Sequence, residues 1–389
     1  MSLWRSATGV LSHLRLDCGV IRISQVRVTD EQELAVLKVL RSGQLAMGRE
    51  TTLLESDFSA FFGGAECVAV ANGTVGLTLA LAAAGVAPGS EVVTTAFSFI
   101  GTVEAVIHLG ARPVFADVEL ETGNMDVGRV EAVMSERTAA VLPVHLYGRP
   151  VQLGKLRRVA DAWGVPVIED ACQAIGARAE NGTHIGSAGT AVFSFYGSKN
   201  ITCGEGGLVA TSDPALGARV RLLRNHGSVA DYEHQVVGYN GRMTDLQAVL
   251  LRSEVGRIDE VTRMRRRNAR LYDEGIQNVA VIKPPQGDED GGCCHQYTLR
   301  MRSDGERRDL QKWASSQGVE TRVYYPSSLA DLDVMERLGY GSECPVATAL
   351  ARTVLSLPVR DSLTIEEVQR VIDVVNGWRP GATDGAGFY

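Results

Sequence analysis

The chain has 389 residues, with 39 basic against 46 acidic side chains, a net charge of −7 and 45% hydrophobic residues. That length and apolar content predict a large buried core and two domains, over residues 1–255 and 256–389. Mild acidity with interspersed charges argues against general affinity for nucleic acid or a membrane surface. The longest apolar run, Leu77 to Ala84, is too short to cross a bilayer.

The seven cysteines are scattered and odd in number, which fits a reducing cytoplasm rather than a disulfide framework. Cys293-Cys294-His295 has no second ligand pair at zinc-site spacing, so no metal is expected there. Residues 1–19 lack the continuous apolar stretch of a signal peptide and read as a frayed extension, with no room for a DNA-binding domain.

In chain order, Thr29 or Asp30 caps a predicted helix to Arg41, with Leu34, Val36, Leu37 and Leu40 on one face. A glycine-punctuated loop, Ser42 to Gly48, precedes a second helix carrying Leu53, Leu54, Phe58, Phe61 and Phe62. From Cys67 onward short β-rich runs alternate with helical ones. Strands are predicted at Val68–Ala71, Glu91–Thr95, Arg112–Ala116, Ala139–Leu146 and Val165–Glu169, and helices at Thr74–Ala84, Thr102–Leu109, Val127–Met134 and Leu153–Trp163. Strands separated by helix-length crossovers predict an α/β domain whose mostly parallel sheet is flanked by helices. Strands at Gly189–Phe195 and Leu208–Ser212 are joined by a short connection, which makes part of the sheet antiparallel.

A long helical stretch is predicted over 244–273; its arginine run, Arg263 to Arg267, reads as a solvated face. Pro284 to Gly292 reads as a hinge or exposed insertion, and Pro380 to Tyr389 as a loose tail. Between them lies a smaller α+β domain, with strands near Gln296–Met301 and Glu320–Val323 and helices near Arg307–Gln317 and Ile365–Val375.

Three strand ends carry chemistry. Asn72-Gly73-Thr74 lies between a strand and a helix, and reads either as an ordinary turn with its N-cap or as a phosphate cradle of free N–H groups. Asp170 closes the strand ending Ile168-Glu169-Asp170, where a carboxylate caps a turn or holds a positive charge. Lys199 follows the next strand at the same end of the sheet, with Ser194 as a further phosphate ligand. A lysine among apolar walls loses its proton readily and attacks carbonyls. Cradle, carboxylate and lysine together are what pyridoxal phosphate requires. Gly204-Glu205-Gly206 lacks the third glycine and following helix of a dinucleotide site. His145 reads as a satisfied strand-end histidine or a catalytic one, and Glu205 as a substrate contact or a support for the Gly206-Gly207 turn.

These segments, with Gly110 to Asp117, Glu169 to Ala177, Phe193 to Gly207, Gly238 to Met243 and Leu355 to Pro358, resemble the DegT/DnrJ/EryC1/StrS family of sugar aminotransferases, of aspartate-aminotransferase fold type I. The resemblance spans about Ser42 to Pro358. It implies that Lys199 forms the Schiff base with pyridoxal 5'-phosphate and that Asp170 partners the pyridine nitrogen. Gln173 is implied near the phenolic oxygen, Phe99 stacking on the ring, and Gly73, Thr74, Val75 and Ser194 on the phosphate. Asn240 resembles an asparagine that reaches the phosphate from the neighbouring subunit, which implies a homodimer with shared sites. The implied reaction moves nitrogen from glutamate to a nucleoside-diphosphate keto-sugar. The stretch Lys199 to Gly207 looks more like members that aminate a 4-keto-6-deoxyhexose than like 3-aminating ones; a keto-inositol is a rival acceptor. A non-catalytic cofactor-binding regulator is the alternative of another class. Three positions depart from the family pattern: Asn72 replaces a usual serine, Gly241 stands where a tyrosine is common and leaves less bulk at the interface, and no histidine follows Tyr325-Pro326.

Overall fold

The computed structural model describes residues 19–285 and 291–381. The expected N-terminal extension (bar Gly19), the C-terminal tail from residue 382 and the middle of the Pro284–Gly292 loop lie outside those residues.

Two helices open the chain, α1 (Asp30–Ser42) and α2 (Arg49–Phe61). There follow β1 (Glu66–Val70), α3 (Gly73–Ala83), β2 (Glu91–Thr95), α4 (Gly101–Ile107), β3 (Arg112–Ala116), α5 (Val127–Val133), β4 (Thr138–Leu142), α6 (Leu153–Ala162) and β5 (Ile168–Asp170). Next come β6 (Thr190–Ser194), β7 (Gly207–Thr211), α7 (Pro214–Arg224) and a small exposed hairpin of β8 (Ser228–Ala230) and β9 (Glu233–His234). The predicted helix over 244–273 is two helices, α8 (Asp245–Val255) and α9 (Ile258–Gly275), broken at Gly256-Arg257. The rest comprises β10 (Tyr297–Arg300), α10 (Asp304–Ser316), α11 (Asp333–Arg337), α12 (Pro345–Thr353), β11 (Val354–Leu357) and α13 (Ile365–Gly377).

A four-stranded sheet in the order β1-β7-β6-β5 meets a three-stranded one in the order β3-β2-β4. Parallel bridges Val141–Val167 and Val144–Asp170 join them edge to edge. Strand β7 runs antiparallel to both of its neighbours, β1 and β6, while β5 and β6, β2 and β3, and β2 and β4 pair parallel. The connection from β6 to β7, residues 195–206, contains no helix, whereas parallel strands are usually joined by a helical crossover.

Alternate side chains of each strand go to opposite faces. Val68, Val192 and Val209 join a core beneath α3 and α7, whereas Cys67, Ala69, Phe193 and Leu208 join Leu54, Phe58, Phe62 and Leu251 on the other side. With both faces covered, α3 is buried almost all round, which suits its Leu- and Ala-rich sequence. A separate cluster holds Tyr272, Leu299, Leu310, Leu355, Val371 and Trp378 around the β10–β11 pair. Ile21 belongs to that cluster and bridges Val319, so residues at the start of the described chain pack on its C-terminal part.

Helix α1 forms with Thr29 as its N-cap, in a capping box with Gln32, but faces the other way. Leu34 is 60% exposed, and Leu37 and Leu40 also face outward. The inward residues are Val39 and Gln32, whose amide donates to Ser253 Oγ at 3.0 Å and Glu254 Oε1 at 2.9 Å on α8. A fully paired amide can sit inside, and the leucine stripe is left for another surface. Among the described residues no helix is long and apolar enough to cross a membrane.

Candidate active site

The ends of β5 and β6 and the start of β7 meet at one edge of the sheet, with Ser194 opposite Gly207 in register. Ligands in such sheets bind beyond the carboxyl ends of the strands. A cavity of about 1190 Å³ lies there, lined by Gly73, Thr74, Val75, Phe99, Asp170, Gln173, Ser194 and Lys199. These are the predicted cofactor residues, drawn together from positions 73 to 199. Asn240 is exposed and does not line the cavity.

At one end sits the N-terminus of α3. Asn72 caps it, its Oδ1 accepting from the Val75 N–H at 2.9 Å. Val75 is thus committed to the cap, while the Gly73 and Thr74 N–H groups have no recorded partner among the described residues. Such free N–H groups, with the helix dipole, favour a phosphate. The substitution of asparagine for serine therefore keeps the cradle open. A Cβ added at Gly73 would lie 2.7 Å from Cys172 Sγ and 3.0 Å from Ser194 Cβ, so the helix end sits directly against those two residues. A Cβ at Gly207 would meet the Asn72 carbonyl at 2.6 Å and the Gly73 nitrogen at 2.9 Å. The predicted glycine pair is thereby explained: β7 starts against the backbone of the cradle.

Asp170 is 4% exposed. Its Oδ2 accepts from the Thr102 hydroxyl at 2.8 Å and its Oδ1 from the Cys172 N–H at 3.1 Å. Both contacts fix the carboxylate without neutralising it. Neighbouring Glu169 points to the opposite side, where it pairs with His145 Nε2 at 3.0 Å and Arg157 at 2.8 Å. His145 Nδ1 accepts from the Val151 N–H at 3.1 Å. His145 is therefore a satisfied structural histidine, and the two adjacent acids have opposite tasks.

Lys199 is half-buried on a turn in which its N–H donates to the Tyr196 carbonyl at 2.9 Å. Its amine lines the cavity and has no hydrogen-bond partner among the described residues. Burial pulls its pKa down, and the nearby Cys172, Asp170 and Cys293 oppose that shift. Gln173 is held from both ends: its Oε1 accepts from the Tyr147 N–H at 2.8 Å and its Nε2 donates to Tyr325 Oη at 3.0 Å. Phe99 is 57% exposed, with its ring 6.2 Å from that of Tyr325. An aromatic face left open beside a carboxylate is free to stack on a planar ring. Glu205 is exposed on the cavity wall, and its carbonyl accepts from Gln247 at 2.9 Å.

These residues fit pyridoxal phosphate: an anion cradle, a carboxylate for the ring nitrogen, an open aromatic face and an unpartnered lysine amine stand around one cavity. Sequence reasoning missed Thr102, Tyr147, Tyr325 and His295. Thr102 was findable, since Ser98 and Thr102 stand four apart at a helix start and their hydroxyls pair at 2.9 Å. Tyr325 and His295 arrive from loops distant in sequence and left no local signal of their role.

Fold and site together define a pyridoxal-phosphate-dependent aminotransferase. The chain belongs to the DegT/DnrJ/EryC1/StrS aminotransferase family, whose model matches residues 27–376. It is 38% identical over 357 residues to a protein of Geobacillus stearothermophilus named pleiotropic regulatory protein, covering 90% of this chain and 93% of that one. It is also 38% identical over 349 residues to the UDP-N-acetyl-3-dehydro-alpha-D-glucosamine 3-aminotransferase of Acidithiobacillus ferrooxidans, covering 89% and 93%. Among solved structures, DesV of S. venezuelae, crystallised with a ketimine intermediate, superposes with a TM-score of 0.85 at 35% identity over 90% of this chain and 94% of that one. The family is one of sugar aminotransferases, and the chain is read as an enzyme rather than a regulator.

Proposed function

We propose that this protein transfers an amino group from glutamate to a nucleoside-diphosphate 3-keto-sugar, working as a homodimer. The observation that carries the reading is the Lys199 amine, unpartnered and open to the cavity beside buried Asp170 and the free end of α3. The bound cofactor supplies the electron sink that makes the donor's α-proton acidic. Lys199 Nζ, its proton affinity lowered by burial, takes that proton and returns it on the neighbouring carbon. Asp170, oriented by Thr102 and the Cys172 N–H, would partner the ring nitrogen of the bound cofactor. Gly73, Thr74 and Ser194 anchor the phosphate.

The acceptor's position follows the Acidithiobacillus relative, whose name places the nitrogen on carbon 3. A 4-keto-6-deoxyhexose is the second reading, carried by the stretch Lys199 to Gly207. The homodimer is supported by apolar side chains left outward: Leu34, Leu37 and Leu40 on α1, and Tyr232 and Val237, which are 97% and 96% exposed. Large apolar side chains left outward suit an interface between copies of the chain, and Asn240, also exposed, is then available to the neighbouring site. All six described cysteines are free thiols, which supports a cytoplasmic location.

The test is a panel of nucleoside-diphosphate 3-keto- and 4-keto-sugars and keto-inositols, each incubated with holoprotein and glutamate. NMR of the products should show a 3-amino sugar nucleotide. Amination of keto-inositol alone would overturn the reading.

A further inference from the structure

Both substrates proposed above are anions: glutamate carries two carboxylates, and a nucleoside-diphosphate sugar a diphosphate. Among the described residues the cavity that would take them is lined by four acids, Glu104, Asp170, Glu205 and Glu320, against two strong bases, Lys199 and Arg322. Of the two lining histidines, His295 is buried with its Nδ1 2.9 Å from Asn200 Oδ1, and burial, with the charges of Lys199 and Arg265, holds it neutral. His108 is exposed at the end of α4. Lys199 and the open end of α3 are assigned to the cofactor. Arg322 is therefore the one Lys or Arg side chain of this wall left for a substrate.

Arg322 lies on an extended segment pinned from two sides. Its N–H donates to the Ser356 carbonyl at 3.2 Å, and the Glu320 N–H donates to the Ile21 carbonyl at 2.9 Å. Arg322 Nε and Nη2 both donate to a single oxygen, Glu320 Oε1, at 3.1 and 2.8 Å. Glu320 Oε2 instead accepts from the Ile23 N–H at 3.2 Å. The pair thus lacks the two parallel bonds that a guanidinium fork makes with both oxygens of a carboxylate or phosphate. The Arg322 side chain is 59% exposed, and an exposed pair adds little stability, so exchanging its partner costs little. Arg322 Nη1 has no partner among the described residues. Tyr325 Oη, three residues on, accepts from Gln173 at 3.0 Å, and three extended residues span at most about 11 Å. The guanidinium therefore shares a wall with groups assigned to the cofactor.

We propose that Arg322 is the substrate-anion anchor of this cavity: its guanidinium leaves Glu320 and takes an oxyanion of the substrate, a carboxylate of glutamate or the diphosphate of the sugar nucleotide. The inference rests on the reading of those two substrates. Donor and acceptor occupy the cavity in turn during amino transfer, so one guanidinium is able to serve both. Glu320 keeps the guanidinium in place while no substrate is present and competes with the anion that replaces it.

The experiment is calorimetric titration of full-length holoprotein with glutarate, which is glutamate without its amine, and with UDP and dTDP. No turnover is needed. Arg322→Gln should weaken glutarate, the nucleotides or both by about tenfold or more, the scale of one charged hydrogen bond lost. A loss confined to glutarate assigns the donor carboxylate, and one confined to the nucleotides the acceptor diphosphate. Arg322→Lys, which keeps the charge but not the fork, should fall between wild type and Arg322→Gln. Glu320→Gln removes the competitor and should bind the same ligand at least as tightly as wild type, whereas a merely structural pair would lose affinity in both variants alike. Unchanged affinities in Arg322→Gln, or equal weakening in Glu320→Gln, would overturn the proposal. Wild-type holoprotein that binds neither glutarate nor nucleotide, and keeps its colour with glutamate, would sink the reading of the substrates and this inference with it.

Discussion

The cofactor site and the outer surface are built differently. On the cofactor side each side chain is held by its own chain: Asp170 by Thr102 and a backbone N–H, Gln173 by Tyr147 and Tyr325, and α3 by its Asn72 cap. On the outer side the leucines of α1, the hairpin around Tyr232 and the Asn240 side chain face outward. One is complete in a single chain; the other is the surface proposed above to meet a second copy. Chemistry that tolerates little displacement sits on strand ends, whereas recognition sits on loops.

Substitutions on the finished side should do the most damage. Lys199→Ala should slow amino transfer by at least about a thousandfold, because it removes both the covalent handle and the proton carrier. Turnover near the wild-type rate would refute the assigned role. Asp170→Asn should cost about a hundredfold in kcat with the fold intact, since the amide oxygen can still accept from Cys172 but carries no charge. Circular dichroism checks the fold and steady-state kinetics the loss.

Glycine substitutions sharpen the contrast between crowded and open positions. Gly207→Ala drives a methyl into the Asn72 backbone, which has little freedom to yield. A stability loss of about 1–3 kcal/mol is expected, with weaker cofactor binding. Gly256→Ala, with nothing within 4 Å, should leave the melting temperature almost unchanged. On the open side, the double substitution Leu34→Glu with Leu37→Glu should give a folded monomer in sedimentation, with reduced cofactor affinity. A dimer that survives both charges would place the interface elsewhere.

A further effect is one of pH. Folded His295 and, to a lesser extent, His184 stay neutral where the unfolded chain takes up protons, near 6.5. Both folded values are depressed by burial, so stability is full above that pH and declines as pH falls below it. His295→Gln should flatten the decline by about 1.4 kcal/mol per pH unit, read from denaturant melts of apoprotein between pH 6.5 and 5.

Much of the cofactor side was legible because its residues follow strands directly. The alternating pattern located Asp170, Ser194 and Lys199, and the short β6–β7 connection announced the antiparallel strand. The outward face of α1 was not legible. Helical spacing identifies an apolar stripe but does not say whether it meets its own core, and here Gln32, paired with α8, took the inner position. His295 was hidden for another reason: its meaning depends on Asn200, which is 95 residues away in sequence. Periodicity carries no information about such pairings. Val75 shows a finer limit, since only the Asn72 hydrogen bond reveals that its amide is occupied.

The reversal of β7 also fixes a length. The chain leaves β6, makes the lysine turn and re-enters the sheet under tight constraint, with Phe195 N–H on the Gly206 carbonyl at 2.9 Å and Cys203 N–H on the Phe195 carbonyl at 3.2 Å. The same short span delivers Lys199 at its start and seals the cradle with Gly207 at its end. The segment thus ties the position of the lysine to the closure of the cradle, and an added or lost residue would have to be taken up without moving either end.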